Sequence, residues 1–187
     1  MTAPGIRRNV PVQLPPETLA VDDNLTLVRA ERGDADMLYA LVDENREFLG
    51  RSLGFARRFT PQKAATRCEI WYSDMQNGRG SAYWVTEMGE KIGLTELWFN
   101  PMTSSDSWQL EYWLAEPARG RGVMSRAARR LIDYAFEERD IREIELLIVP
   151  SNPRSQAVAR RIGAVHHAAS TADPTIDGCI WRVTNEQ

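Results

Sequence analysis

The sequence predicts an α+β fold: a mixed central sheet of about seven strands with about four helices. Three observations predict it. Apolar residues recur at helical spacing in three stretches, 34–49, 60–76 and 123–138. Segments that alternate, or are apolar throughout, lie between and after them: 25–29, 81–88, 91–100, 107–115, 143–149, 165–169 and 179–183. A pair of glycines, Gly120 and Gly122, stands where the 107–115 strand gives way to the 123–138 helix. Periodicity alone does not fix the order of the strands.

Residues 1–22 carry Pro4, Pro11, Pro15 and Pro16. That density is poor for helix or central strand, so this is read as an irregular arm, packed on the domain or on a partner. The domain proper is expected over 23–187. Leu25 to Arg29 is its first strand. Asp34 is the expected N-cap of the next helix, with Met37, Leu38, Leu41, Val42, Phe48 and Leu49 on one face. A second helix starts at Thr60-Pro61, with threonine as cap and proline at the first helical position, and ends at Asn77-Gly78. Ser81–Met88 and Lys91–Asn100 form a hairpin around Gly89-Glu90. Pro101–Asp106 is a loop. In the strand 107–115, Leu110, Tyr112 and Leu114 fall on one face, and Gln109, Glu111 and Trp113 on the other. Val123–Glu138 is the main helix, with a buried stripe of Val123, Ala127, Leu131, Ile132, Ala135 and Phe136. Glu143–Val149 is an interior strand. Asn152 caps a short helix, Pro153 opens it and Gly163 ends it. The last two strands are joined by Asp173-Pro174-Thr175-Ile176-Asp177-Gly178.

A chain of 187 residues is ample for one hydrophobic core. No apolar run approaches the roughly 20 residues of a membrane span, and Arg7-Arg8 has no apolar stretch behind it, so no signal peptide is evident. Cys68 and Cys179 read as two reduced thiols in a cytoplasmic protein. His166-His167 is an isolated pair, and no cluster has zinc spacing, so no metal is expected. A net charge of −3 does not favour wholesale nucleic-acid binding. Lysine occurs only at 63 and 91, and Arg119, Arg121, Arg126, Arg129 and Arg130 cluster at one turn and its helix. They form either a solvated basic face or a phosphate grip.

The turn Arg119-Gly120-Arg121-Gly122-Val123-Met124 carries chemistry. Without Cβ atoms, glycines let the backbone bend and approach a ligand closely. The first N–H groups of a helix have no internal partner and attract an anion. A tight strand–helix connection is the plainer alternative.

Arg119-x-x-Gly122-x-Met124 after Glu111-Tyr112-Trp113-Leu114, with Asn152-x-x-Ser155 following an interior strand, resembles the acetyl-CoA-binding core of the GNAT N-acetyltransferases. Met124 departs from the family's glycine or alanine. The Rim-type members, which acetylate protein N-termini, often have methionine there. Asp43-Glu44-Asn45-Arg46-Glu47-Phe48-Leu49 resembles their early helix on the acceptor side. The resemblance implies a single GNAT domain whose fourth and fifth strands splay into a V. It also implies acetyl-CoA as co-substrate, a peptide N-terminus as the amine acceptor, and a homodimer as an option. A small-molecule amine (antibiotic, polyamine or amino acid) is the alternative acceptor. A non-catalytic acyl-CoA-binding module is the alternative of another class.

The implied division of labour gives the donor to Tyr112, Trp113, Leu114, Arg119, Gly120, Arg121, Gly122, Val123, Met124, Asn152 and Ser155. Backbone N–H groups of 119–124 hold the pyrophosphate, those of 111–115 polarise the acetyl carbonyl, and Asn152 bonds the pantetheine arm. Ser155 is the expected proton or hydrogen-bond donor to the leaving thiolate. A base must free the amine's lone pair. Rim-type enzymes place a glutamate near the final hairpin, where this chain has Asp173. Glu111 and Asp173 are the candidates, with Glu96 behind them, and a backbone-held water is the alternative. Trp71, Trp84, Trp98 and Trp113 are core residues or the walls of an acceptor pocket.

Overall fold

A computed structural model describes residues 13–100, 107–169 and 178–185. Pro4, Pro11, the Pro101–Asp106 loop and Asp173 lie outside the described residues. The strands are β1 (Thr18–Ala20), β2 (Leu25–Arg29), β3 (Gly80–Glu87), β4 (Glu90–Asn100), β5 (Ser107–Leu114), β6 (Glu143–Ile148), β7 (Val165–Ala169) and β8 (Cys179–Thr184). The helices are α1 (Ala35–Glu44), α2 (Arg46–Leu49), α3 (Pro61–Gln76), α4 (Val123–Glu138) and α5 (Pro153–Arg161). The strands make one eight-stranded sheet in the order β1-β2-β3-β4-β5-β6-β8-β7, antiparallel except for the β5/β6 pair.

Period-two alternation sends the side chains of each central strand to two separate cores. On one face Leu25, Leu27, Val85, Leu97 and Leu110 pack with α4. On the other Trp84, Leu94 and Trp113 pack with α1 and α3. Helix α4 is the best defined helix in sequence. Its buried stripe is as expected but wider, adding Met124, Ala128 and Tyr134, while Phe136 is only half-buried. Helix α3 starts as its residues dictate: Thr60 Oγ accepts from Lys63 N–H and Pro61 sits at the first position.

Three local differences have physical causes. The arm's end is not irregular throughout: Thr18–Ala20 adds a short edge strand to β2, and the Pro15 and Pro16 carbonyls accept hydrogen bonds from Arg29 and from the Tyr83 hydroxyl. The β3/β4 hairpin turns on Met88-Gly89 rather than Gly89-Glu90. Both turn residues have positive φ, +49° and +87°, the geometry that matches strand twist, and Glu90 already pairs with Glu87. The first helical stripe breaks at Asn45, which separates α1 from α2. Its side chain leaves the helix pattern to accept from Glu116 N–H at 2.8 Å and to donate to Leu41 O at 2.9 Å.

The parallel β5/β6 pair positions the site. Its register covers only Trp108↔Ile144 and Gln109↔Glu145. Beyond that point β5 stays on β4 and β6 stays on β8, so the two strands diverge into a V. Its closed end is locked by Glu145, a buried carboxylate that accepts from Ser107 Oγ at 2.6 Å and from Arg182 Nε at 2.8 Å. Among the described residues, no helix is long and apolar enough to cross a membrane.

Candidate active site

Two strand ends and two helix starts converge on the open V. Residues Glu116–Ala118 form a 3₁₀ turn after β5, and the chain then bends through Gly120 (φ +81°) and Gly122 (φ +71°) into α4. Left-handed backbone at both points calls for glycine. A Cβ at Gly120 would meet nothing within 4 Å, so the need there is conformational, not steric. Among the described residues, the N–H groups of Gly122, Val123 and Met124 donate to no acceptor. Ser125 Oγ, in the same first turn of α4, is buried without a hydrogen-bond partner. Sequence reasoning missed Ser125, although a hydroxyl in the turn after a glycine pair is the available signal.

The arginines of this turn are engaged elsewhere. Arg119 bonds Glu116 at 2.7 Å and stacks over Phe48, its guanidinium carbon 4.3 Å from the ring centroid. Arg121 grips Glu87 with two nitrogens, at 2.8 and 2.9 Å. Arg126 pairs with Asp22, Arg130 donates to Ala20 O, and Arg129 donates to Ile162 O. What the turn leaves for an anion is backbone and one hydroxyl.

Register decides which groups of β5 face the V. Ala115 N–H donates to Ile92 O, and the Glu111 carbonyl accepts from Thr95 Oγ, so Ala115, Trp113 and Glu111 turn their backbone groups toward β4. Tyr112 and Leu114 therefore turn theirs toward β6, where pairing has stopped.

A cavity of about 540 Å³ runs from this V to the α3 side of the sheet and is lined by Glu96, Glu111, Trp71, Trp113, Asn152 and Ser155, among others. Side-chain alternation divides its chemistry between the faces. On the α5 face, the Tyr112 hydroxyl donates to Ser155 O at 3.1 Å, and Ser155 Oγ lies 3.3 Å from that hydroxyl. Burial pushes the Tyr112 phenol up to about 12, so it holds its proton at neutral pH. Asn152 Oδ1 accepts from Ser155 N–H at 3.1 Å, which is the expected cap, and Asn152 still lines the cavity.

On the α3 face, Glu96 and Glu111 are direct cross-strand partners. Glu96 is buried and satisfied: Oε1 accepts from Arg67 at 2.6 Å, and Oε2 accepts from Trp71 Nε1 at 2.7 Å. Arg67 also lies 3.7 Å from Glu111 and stacks over Trp71. Glu111 keeps 53% of its side-chain surface open, and it lines the cavity. The protein packed around the remainder displaces part of its hydration. That desolvation, with repulsion from Glu96, raises its carboxyl to about 7. Arg67 pulls the other way. So does the Trp98 indole, although its N–H reaches no acceptor at hydrogen-bonding distance.

The structure thus brings together Tyr112, Trp113, Asn152 and Ser155 with Glu96 and Glu111 around one cavity. The Gly120–Met124 turn stands beyond the end of β5. Of the four tryptophans, Trp71 and Trp113 line the cavity and Trp84 is fully buried, its indole N–H on Asp34. Arg67 went unremarked in sequence as a functional residue. Arg67 and Trp71 stand four apart on one helix, which places them on one face.

Known proteins point the same way. The family model described as acetyltransferase (GNAT) domain matches residues 24–165. A putative ribosomal N-acetyltransferase, YdaF, of Bacillus subtilis (strain 168) is 30% identical over 150 residues, covering 78% of this chain and 80% of that protein. The ribosomal-protein-serine acetyltransferase of Escherichia coli (strain K12) is 28% identical over 152 residues, covering 80% and 83%. Among solved structures, RimL, a ribosomal L7/L12 alpha-N-protein acetyltransferase in complex with coenzyme A, superposes with a TM-score of 0.79 at 23% identity, over 90% of this chain and 98% of that one. A splayed β5/β6 pair feeding a glycine turn, and a family match across three quarters of the sequence, agree: this chain is a GNAT N-acetyltransferase.

Proposed function

We propose that the protein transfers the acetyl group of acetyl-CoA to the α-amine of a peptide or protein N-terminus, with Glu111 as the base. The observation that carries this is the pairing of the two faces: a carboxylate raised toward neutrality on the α3 side of β5, and a half-buried hydroxyl pair on its α5 side. The named activities of the relatives support the acceptor class.

The residues fit a CoA thioester. Free N–H groups at Gly122 to Met124 and the unpartnered Ser125 hydroxyl suit a diphosphate. Arg119 and Arg121 are already paired with Glu116 and Glu87, so the backbone takes the main part. Asn152 offers an amide to the pantetheine arm. The N–H groups of Tyr112 and Leu114 point where the acetyl oxygen must gather charge, and such donors commonly carry the largest catalytic share. Glu111 takes the proton of the ammonium, freeing the lone pair. The amine nitrogen then bonds to the acetyl carbon and the carbon–sulfur bond breaks. The thiolate receives a proton from the Tyr112–Ser155 hydroxyl pair, and the proton shed by the newly acylated nitrogen restores that pair. The products are an N-acetyl amide and free CoA.

CoA release and product mass, followed over peptides, aminoglycosides, polyamines and amino acids, test the acceptor class. Peptides are expected to turn over. Turnover confined to small amines would refute the peptide assignment.

A second measurement tests the pairing of carboxylates. Glu96→Gln removes the repulsion that raises Glu111 and frees Arg67 to turn toward it. Both changes favour the ionised form, so the midpoint of the kcat/KM–pH profile should move toward acid by about one pH unit. A midpoint that stays in place, or moves toward base, contradicts the coupling.

A further inference from the structure

Resting on the peptide-acceptor reading, we infer that the preferred acceptor is a chain end whose first residue has a large apolar side chain, such as leucine, methionine or phenylalanine.

The first observation is the wall of the cavity. Among the described residues, eight large hydrophobic side chains are exposed, and Phe55 (46%), Ile70 (43%) and Leu147 (40%) all line this one cavity. Single exposed apolar residues are ordinary, but three gathered on one concavity mark a binding surface. Phe55 is held in place: its ring meets Phe59 edge-on at 5.5 Å, and Arg57 and Arg46 tie the intervening loop down by donating to Gly50, Ala56 and Phe59 carbonyls. Leu53 and Phe59 continue the same wall. The surface is therefore apolar and fixed before any ligand arrives.

The second observation is charge. The polar end of this cavity holds two carboxylates, Glu96 and Glu111. Of its cations, Arg67 is committed to Glu96 and Glu111, while Lys63 bonds only the Arg58 carbonyl, at 2.9 Å, and keeps its charge. An ammonium is attracted to this end. A free amino acid would bring its own carboxylate beside Glu111, where the neighbouring cation, Arg67, is already paired. A peptide end has an amide there instead, and a side chain beside the amine that must lie against Phe55 and Ile70 or face water. An apolar side chain gains by that contact, and serine gains little.

The test compares kcat/KM for peptides identical except at the first residue (Ser, Ala, Leu, Met, Phe), together with leucinamide and free leucine. Leucine- and phenylalanine-initiated peptides should exceed the serine peptide by roughly tenfold or more, the scale of a few methylenes in an apolar pocket. Leucinamide should exceed leucine. The double variant Phe55→Ser/Ile70→Ser, checked for a melting temperature like the parent's, should abolish the preference by bringing the leucine and phenylalanine peptides down to the level of the serine peptide. Serine peptides equal to or faster than leucine peptides would overturn this inference while leaving the peptide reading intact. Turnover confined to small amines would overturn both, and no turnover with any amine would overturn the transfer reading as well.

Discussion

Glu111→Gln is expected to lower kcat by roughly 10²- to 10⁴-fold, the usual range for a general base, while leaving the KM for acetyl-CoA close to unchanged. The amide matches the carboxylate in size and cannot accept the ammonium proton. In the unsubstituted enzyme, kcat/KM should rise with pH through about 7 and level off, since only ionised Glu111 works. In the variant that limb should vanish. Stability moves oppositely. The folded-state carboxyl is raised from 4.5 to about 7, so the folded form holds the proton more tightly than the unfolded form between those values. Stability therefore falls as pH climbs through that window. Glutamine has no proton to lose, so the melting temperature of Glu111→Gln relative to the parent should grow from pH 5 to pH 8. A variant that is slower but better folded above neutrality is what a strained catalytic carboxylate produces. Retained rate with an unaltered pH limb would remove Glu111 from the reaction and return attention to Asp173.

How much of this was legible beforehand depended on the range of the interactions. Thr60-Pro61, Asn152-Pro153 and the stripe of α4 are set by neighbours within one turn of chain, and the sequence reading located each. The glycine turn was legible because positive φ is a local demand. Alternation along 107–115 already put Glu111 and Tyr112 on opposite faces. What it lacked was the strand across from them. That Glu96 stands opposite Glu111, 15 residues further along the chain, follows from the register of β4 on β5, which neither segment announces by itself. Arg67 reaches Glu96 over 29 residues and Asn45 reaches Glu116 over 71, through contacts that exist only once the helices sit on the sheet. The roles of the turn arginines were open for the same reason: Glu87 and Asp22 are far from them in sequence.

Gly93→Ala is expected to damage both stability and donor binding, because β5 leaves no room for a side chain at Gly93. A Cβ there would stand 2.3 Å from the Trp113 carbonyl oxygen, 2.7 Å from Leu114 Cδ2 and 2.9 Å from Leu114 Cα. Two of those three neighbours are backbone, so rotamer change cannot relieve the contact and β5 itself must move. Overpacking of this kind costs about 1–3 kcal/mol, which in a domain of this size lowers the melting temperature by roughly 2–10 °C. The functional loss should be larger than that suggests. The displaced segment carries the N–H groups of Tyr112 and Leu114, and a misplacement on the order of 1 Å at a reacting centre can cost about 10²-fold in rate. Gly33→Ala is the control: nothing lies within 4 Å of its Cβ and its φ is ordinary, so it should melt and turn over like the parent. If Gly93→Ala matched that control in melting temperature, KM for acetyl-CoA and kcat, the close approach of these strands would be incidental. The placement of β5 would then not be what readies the open V for a thioester.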